Sequence, residues 1–151
     1  MKLMNRLRVL ALAALVVLSG PEDSRAEKEP LSPRELQATA THVVIGKVGA
    51  IYSRREQNGN YEYTRYVAEV RVQKTEKGEA PGELIYVRFV DIAWRGKGPP
   101  PPGPSGHSPQ PQVGGVYRFY LARNAYDGLT EGNKDGGYNV VYGNGVQVLN
   151  Q

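Results

Sequence analysis

The chain has 151 residues, with 19 basic against 15 acidic side chains for a formal charge of +4, and it has no cysteine. The missing thiols exclude disulfides, cysteine nucleophiles and thiolate metal sites. The length suits one domain with a sizeable core, and the weak basic excess reads as solubility rather than as the footprint of a nucleic-acid binder.

Residues 1–26 read as an export signal peptide. Lys2, Arg6 and Arg8 form a basic start, Val9 to Leu18 is an unbroken apolar run, and Ser24-Arg25-Ala26 places small residues at −3 and −1 of a cleavage site. A spanning helix would need about 20 apolar residues. Leu18-Ser19-Gly20 looks like the start of a lipoprotein box, but Pro21 stands where the acylated cysteine would be. The expected product is therefore secreted or periplasmic, starts near Glu27 and carries no membrane anchor. Cleavage removes Lys2, Arg6, Arg8 and Arg25 but only Glu22 and Asp23, so the charge falls from +4 to +2. No nucleic-acid partner is expected.

Residues 27–151 read as one β-rich domain. Ser32-Pro33-Arg34-Glu35 predicts a capping box opening a short helix, about Pro33 to Ala40. β-branched residues then predict a strand over His42–Tyr52, with Gly46 and Gly49 marking bends or bulges. Gln57-Asn58-Gly59-Asn60 predicts a hairpin whose Asn-Gly pair suits a type I′ turn. Tyr61–Gln73 follows, with Tyr66, Ala68, Val70 and Val72 inward and Arg65, Glu69 and Arg71 outward. After a turn over Lys77–Gly82, Leu84–Ile92 alternates, with Ile85, Val87 and Phe89 inward and Tyr86 and Arg88 outward. Arg95–Gly115, a Pro/Gly-rich loop holding Pro99–Pro102, suits neither a regular strand nor a helix interior. Val116–Arg123 returns with Tyr117, Phe119 and Leu121 inward. After a polar turn over Asp127–Gly137, Tyr138–Tyr142 and Val146–Leu149 finish the sheet. Five or six strands with one short N-terminal helix predict a mainly β fold, a partly open OB-like barrel.

The helix, Thr41–Val48 (THVVIGKV), the strand ending near Lys74–Gly78, Gly114–Leu121 (GGVYRFYL) and Asp135–Gly145 (DGGYNVVYGNG) together resemble small secreted bacterial proteins with a netrin/TIMP-like OB fold. The resemblance covers roughly residues 27–151 and implies fold more than function. Metalloproteinase inhibitors of that fold use an N-terminal cysteine, and this chain has none, so their inhibitory chemistry is not carried over.

Catalytic and metal chemistry finds little footing. The two histidines, His42 and His107, lie far apart in sequence, which leaves a zinc site unsupported. His107 stands beside Ser105 and Ser108, but a nucleophilic pair needs an orienting group and an oxyanion site. Glu131–Gly136 echoes the start of a calcium loop, yet Tyr142 takes the place of its bidentate carboxylate. No cofactor is expected. The aromatic–basic residues carry the strongest signal. Tyr86, Arg88, Arg118 and Tyr120 are read as one exposed binding face, joined by Trp94 and the proline loop, because Tyr and Arg bury area while keeping polar tips. Trp94 is expected to anchor that loop. The function expected is a secreted non-enzymatic binding or scaffold domain recognising a protein or a glycan outside the cytoplasm. The alternative is an extracytoplasmic hydrolase or protease inhibitor.

Overall fold

The computed structural model describes residues 29–124 and 136–149. The expected export signal lies outside the described residues, as do most of the turn expected over Asp127–Gly137 and of the calcium-like loop.

Helix α1 spans Pro33–Thr39, with Pro33 in its first turn. The capping box forms as its residues dictate: the Glu35 carboxylate accepts from the Ser32 main-chain N–H at 2.8 Å, and Ser32 Oγ accepts from the Glu35 N–H at 3.3 Å. Six strands follow: β1 (His42–Asn58), β2 (Tyr61–Lys77), β3 (Leu84–Trp94), β4 (Val116–Arg123), β5 (Tyr138–Val140) and β6 (Val146–Val148). The sheet order is β1-β2-β3-β5-β4-β6, and β1 also pairs with β4. The pairings thus run round a ring, β1-β2-β3-β5-β4-β1. All are antiparallel except β3–β5. A mainly β chain with one short helix and a six-stranded, partly ring-like sheet agrees with the fold class expected.

Strands β1 to β3 run past their expected ends. Polar Ser53 to Asn58 stays extended because it pairs throughout with Tyr61–Tyr66. The hairpin turns one residue later than expected. Asn58 pairs with Tyr61, so Gly59 and Asn60 form the turn, with Gly59 at φ +57° and Asn60 outside the left-handed region. Glycine first is the preference of a II′ turn rather than of I′. Both strand glycines sit at irregularities, with register shifts at Ile45/Gly46 and Val48/Ala50. At Gly46 a Cβ would overlap Val70 and crowd the Arg71 carbonyl.

Two apolar layers result. Inside the ring lie Val44, Val48, Val70, Val87, Phe89, Tyr117, Phe119, Leu121 and Val140, with Tyr66 stacked on Phe89 at 4.8 Å. Each inward assignment on β2, β3 and β4 holds. Outside the ring, Leu36 of α1 and Ala40, the residue that caps its C-terminus, lie over Val43, Tyr120, Ala122 and Val141.

Candidate binding face outside β1, β2 and β3

Register determines which side chains meet on the outer face. Reading across β1, β2 and β3, the rows are Lys47–Arg71–Leu84, Ala50–Glu69–Tyr86 and Tyr52–Val67–Arg88. Tyr52 and Tyr86 are 57% and 53% exposed, and Leu84 is 48% exposed. They surround Glu69, whose Oε1 accepts from the Tyr52 hydroxyl at 3.0 Å. That bond and the carboxylate charge raise the Tyr52 pKa, so its hydroxyl remains a donor.

Tyr86 also borders an open groove of about 500 Å³ at one end of the ring, lined by Glu79, Pro81, Leu84, Arg123, Gly137 and Tyr138 among others. Arg123 lies over the Tyr138 ring at 5.4 Å, and His42 meets that ring edge-on at 5.2 Å.

The five residues singled out from sequence separate. Tyr86 and Arg88 share the outer face of β3, Arg88 half-buried with its guanidinium close to Gly137. Trp94 is on the same strand but about 27 Å from Tyr86 along it, at about 3.4 Å per residue. There it packs edge-on against Tyr61 at 5.0 Å and donates from Nε1 to the Gly98 carbonyl at 3.3 Å, anchoring the start of the loop. Arg118 is held by Glu76, with Nε at 2.6 Å and the second nitrogen at 3.2 Å from its two oxygens. The pair lowers the Glu76 pKa and raises that of Arg118. Tyr120 does face away from the ring interior, but α1 covers it and only 4% is exposed. The binding face expected from Tyr120 is corrected on that ground. Lys47, Tyr52, Glu69 and Arg71 join Tyr86 instead. Glu69 and Arg71 were legible as outward; Tyr52 was not, because the extra residue at Gly49 reverses the alternation along β1.

Both histidines are built into the fold. His107 Nδ1 accepts from the Val90 N–H at 3.0 Å, and its Nε2 reaches the Val140 carbonyl at 3.1 Å. Protonation on Nε2 satisfies both bonds. His42 Nδ1 pairs with Thr41 Oγ1 at 2.9 Å, while Nε2 is buried without a hydrogen bond among the described residues. Burial, then the Arg123 charge, lower the His42 pKa against an opposing pull from Glu79. A histidine whose folded pKa lies below its unfolded 6.5 contributes stability at pH above 6.5, and that stability is lost as the pH falls through 6.5 towards the folded value. Urea midpoints measured from about pH 7.5 down to about pH 5 are expected to fall, and less steeply in His42→Gln. The lowered carboxylates, Glu35, Glu56, Glu62 and Glu76, act in a separate window below 4.5. Equal slopes in the two proteins would remove His42 as the cause.

Among the described residues no cluster of three or more His, Asp or Glu is placed to hold a metal ion, and no helix is long and apolar enough to cross a membrane. Comparison of the chain with protein-family models, with curated proteins and with solved structures gives no match.

Proposed function

We propose that the chain is an exported, non-catalytic binding domain that takes a glycan or a protein on the outer face of β1, β2 and β3. One observation carries this reading: Tyr52 and Tyr86, each more than half exposed, stand on either side of Glu69 on a three-stranded surface. Aromatic side chains left open beside hydrogen-bonding groups are the material of recognition sites. In OB-like barrels the β2–β3 face is a common place for a ligand. The signal-like residues 1–26 put that partner outside the cytoplasm. No particular observation favours the enzymatic alternative, and His107 is committed through both ring nitrogens to main-chain groups.

Glycan-array and pull-down screens with the exported chain test the proposal. Tyr86→Ala and Tyr52→Ala are each expected to weaken the ligand found by about thirtyfold, the effect of losing about 2 kcal/mol at a hot spot. Thermal midpoints should stay within about 2 °C, since both rings are largely in water. A ligand bound equally well by both variants would place the site elsewhere.

A further inference from the structure

Two like-charged pairs face each other across β1 and β2, and they are treated differently. Arg54 is opposite Arg65. Glu56 lies between them, 3.1 Å from the Arg54 guanidinium and 3.3 Å from Arg65 Nε. Lys47 is opposite Arg71 on the same outer face. Both are exposed, and among the described residues neither makes an ion pair or a side-chain hydrogen bond. Directly opposed like charges destabilise a sheet. At Arg54/Arg65 the fold supplies the counter-charge; at Lys47/Arg71 it leaves the place open.

That open pair is one row from the tyrosine–carboxylate group. Arg71 pairs with Leu84 on β3, and the next outward residues, Glu69 and Tyr86, are about 7 Å along the strands. Tyr86 and Tyr52 present ring faces. Glu69 has Oε1 on the Tyr52 hydroxyl and Oε2 without a hydrogen bond among the described residues. A ligand with an acid group at every position would meet Glu69 as a repulsion, so the chemistry that fits alternates an acid group with neutral hydroxyls. A sugar hydroxyl would donate to it, while an acid group one row away would reach Lys47 and Arg71.

We infer that the ligand of this face is an acidic polysaccharide, its sugar rings lying on Tyr86 and Tyr52, a hydroxyl donating to Glu69 and a carboxylate or sulfate seated between Lys47 and Arg71. The inference rests on the binding reading above and adds the chemical class of the ligand.

Affinity electrophoresis and titration calorimetry of the exported chain test it. The probes are polygalacturonate, its carboxyl-reduced neutral form, dextran sulfate and unmodified dextran. Binding is expected to at least one acidic polymer, with the matching neutral polymer at least tenfold weaker. Affinity should fall with added salt, as surface charge pairs are screened. The double variant Lys47→Gln/Arg71→Gln should lose about tenfold, Tyr86→Ala should lose binding to the same polymer, and Arg34→Gln on the exposed face of α1 should lose nothing. Polygalacturonate and dextran sulfate separately report which acid group is preferred. Equal affinity for the neutral polymers, or acid binding untouched by the double variant, overturns the inference. Either would leave the binding domain standing if Tyr86→Ala still abolished capture. A Tyr86-dependent protein ligand with no polysaccharide binding overturns the inference alone. No Tyr86-dependent ligand of any kind overturns both.

Discussion

Replacing His107 by alanine is expected to cost about 3 kcal/mol or more, a large share of the roughly 5–15 kcal/mol that holds a domain folded. The reason lies in how the ring closes. β3 and β5 pair through only two positions, Val87 with Tyr138 and Arg88 with Asn139. Beyond Arg88 the loop after β3 takes over. Gly106 bridges to Asp91, the His107 N–H donates to the Val90 carbonyl at 2.8 Å, and the Ser108 N–H donates to Gly143 at 2.6 Å. The His107 ring then bonds the Val90 N–H on one side and the Val140 carbonyl on the other, with 3% of the residue exposed. It continues by side chain a ladder that the main chains do not complete. Alanine would leave a buried donor and a buried acceptor unpaired, each costing about 1–3 kcal/mol, together with a cavity. The thermal midpoint should drop by about 10 °C or more. His107→Phe separates polarity from volume: it fills the space but mends neither bond, and is expected to lose nearly as much. Hydrogen exchange gives a local readout, with the Val90 amide losing protection in both variants. A His107→Phe protein as stable as the original would show that filling the gap matters and bridging it does not.

The same residue shows where sequence reasoning reaches its limit. His107 stands between serines in a segment whose prolines and glycines correctly predict a lack of regular structure. Nothing local says that the ring will sit between two strands far apart in the chain. Gly106 holds the clue in hindsight, at φ +104° with its Cα so near the Val90 carbonyl that no Cβ fits. From sequence it is one glycine among many. Local devices were legible: the capping box, the strands and the inward set on β2, β3 and β4 follow from residue chemistry and period alone. The outer face was legible strand by strand and not across strands. Glu69, Arg71 and Tyr86 each read as outward, but that Glu69 stands opposite Tyr86, and Lys47 opposite Arg71, depends on register. The shifts near Gly46 and Gly49 set the β1–β2 register, while β2 and β3 pair without a shift; a single residue of slip in either would move each side chain to the other face. Trp94 followed its expected role because an indole at a strand end, beside glycines, needs a partner for its N–H.

Tyr120 carries the second large effect, and it tests whether a side chain facing away from the ring interior belongs to solvent. Tyr120→Ala is expected to destabilise the protein by about 3 kcal/mol, within the range for removing a buried aromatic ring. The loss comes from the layer under α1. Leu36 in α1 and Ala40 at its C-cap are 1% and 2% exposed, and Tyr120 is the largest buried side chain in the cluster they share. A seven-residue helix is too short to persist alone in water, so α1 depends on that contact. Tyr120→Phe should cost less than about 1 kcal/mol, because the hydroxyl makes only a long 3.4 Å bond to Gln147 Oε1. The pattern across the molecule should be uneven. Amide protection should fall first in α1 and along the outer side of β1 and β4, while Val87 and Phe89, inside the ring, keep theirs until global unfolding. Ligand binding measured well below the unfolding transition should survive Tyr120→Ala and fail in Tyr86→Ala. The opposite result, a stable Tyr120→Ala protein that no longer binds, would restore Tyr120 to the binding face and require α1 to leave the surface it covers.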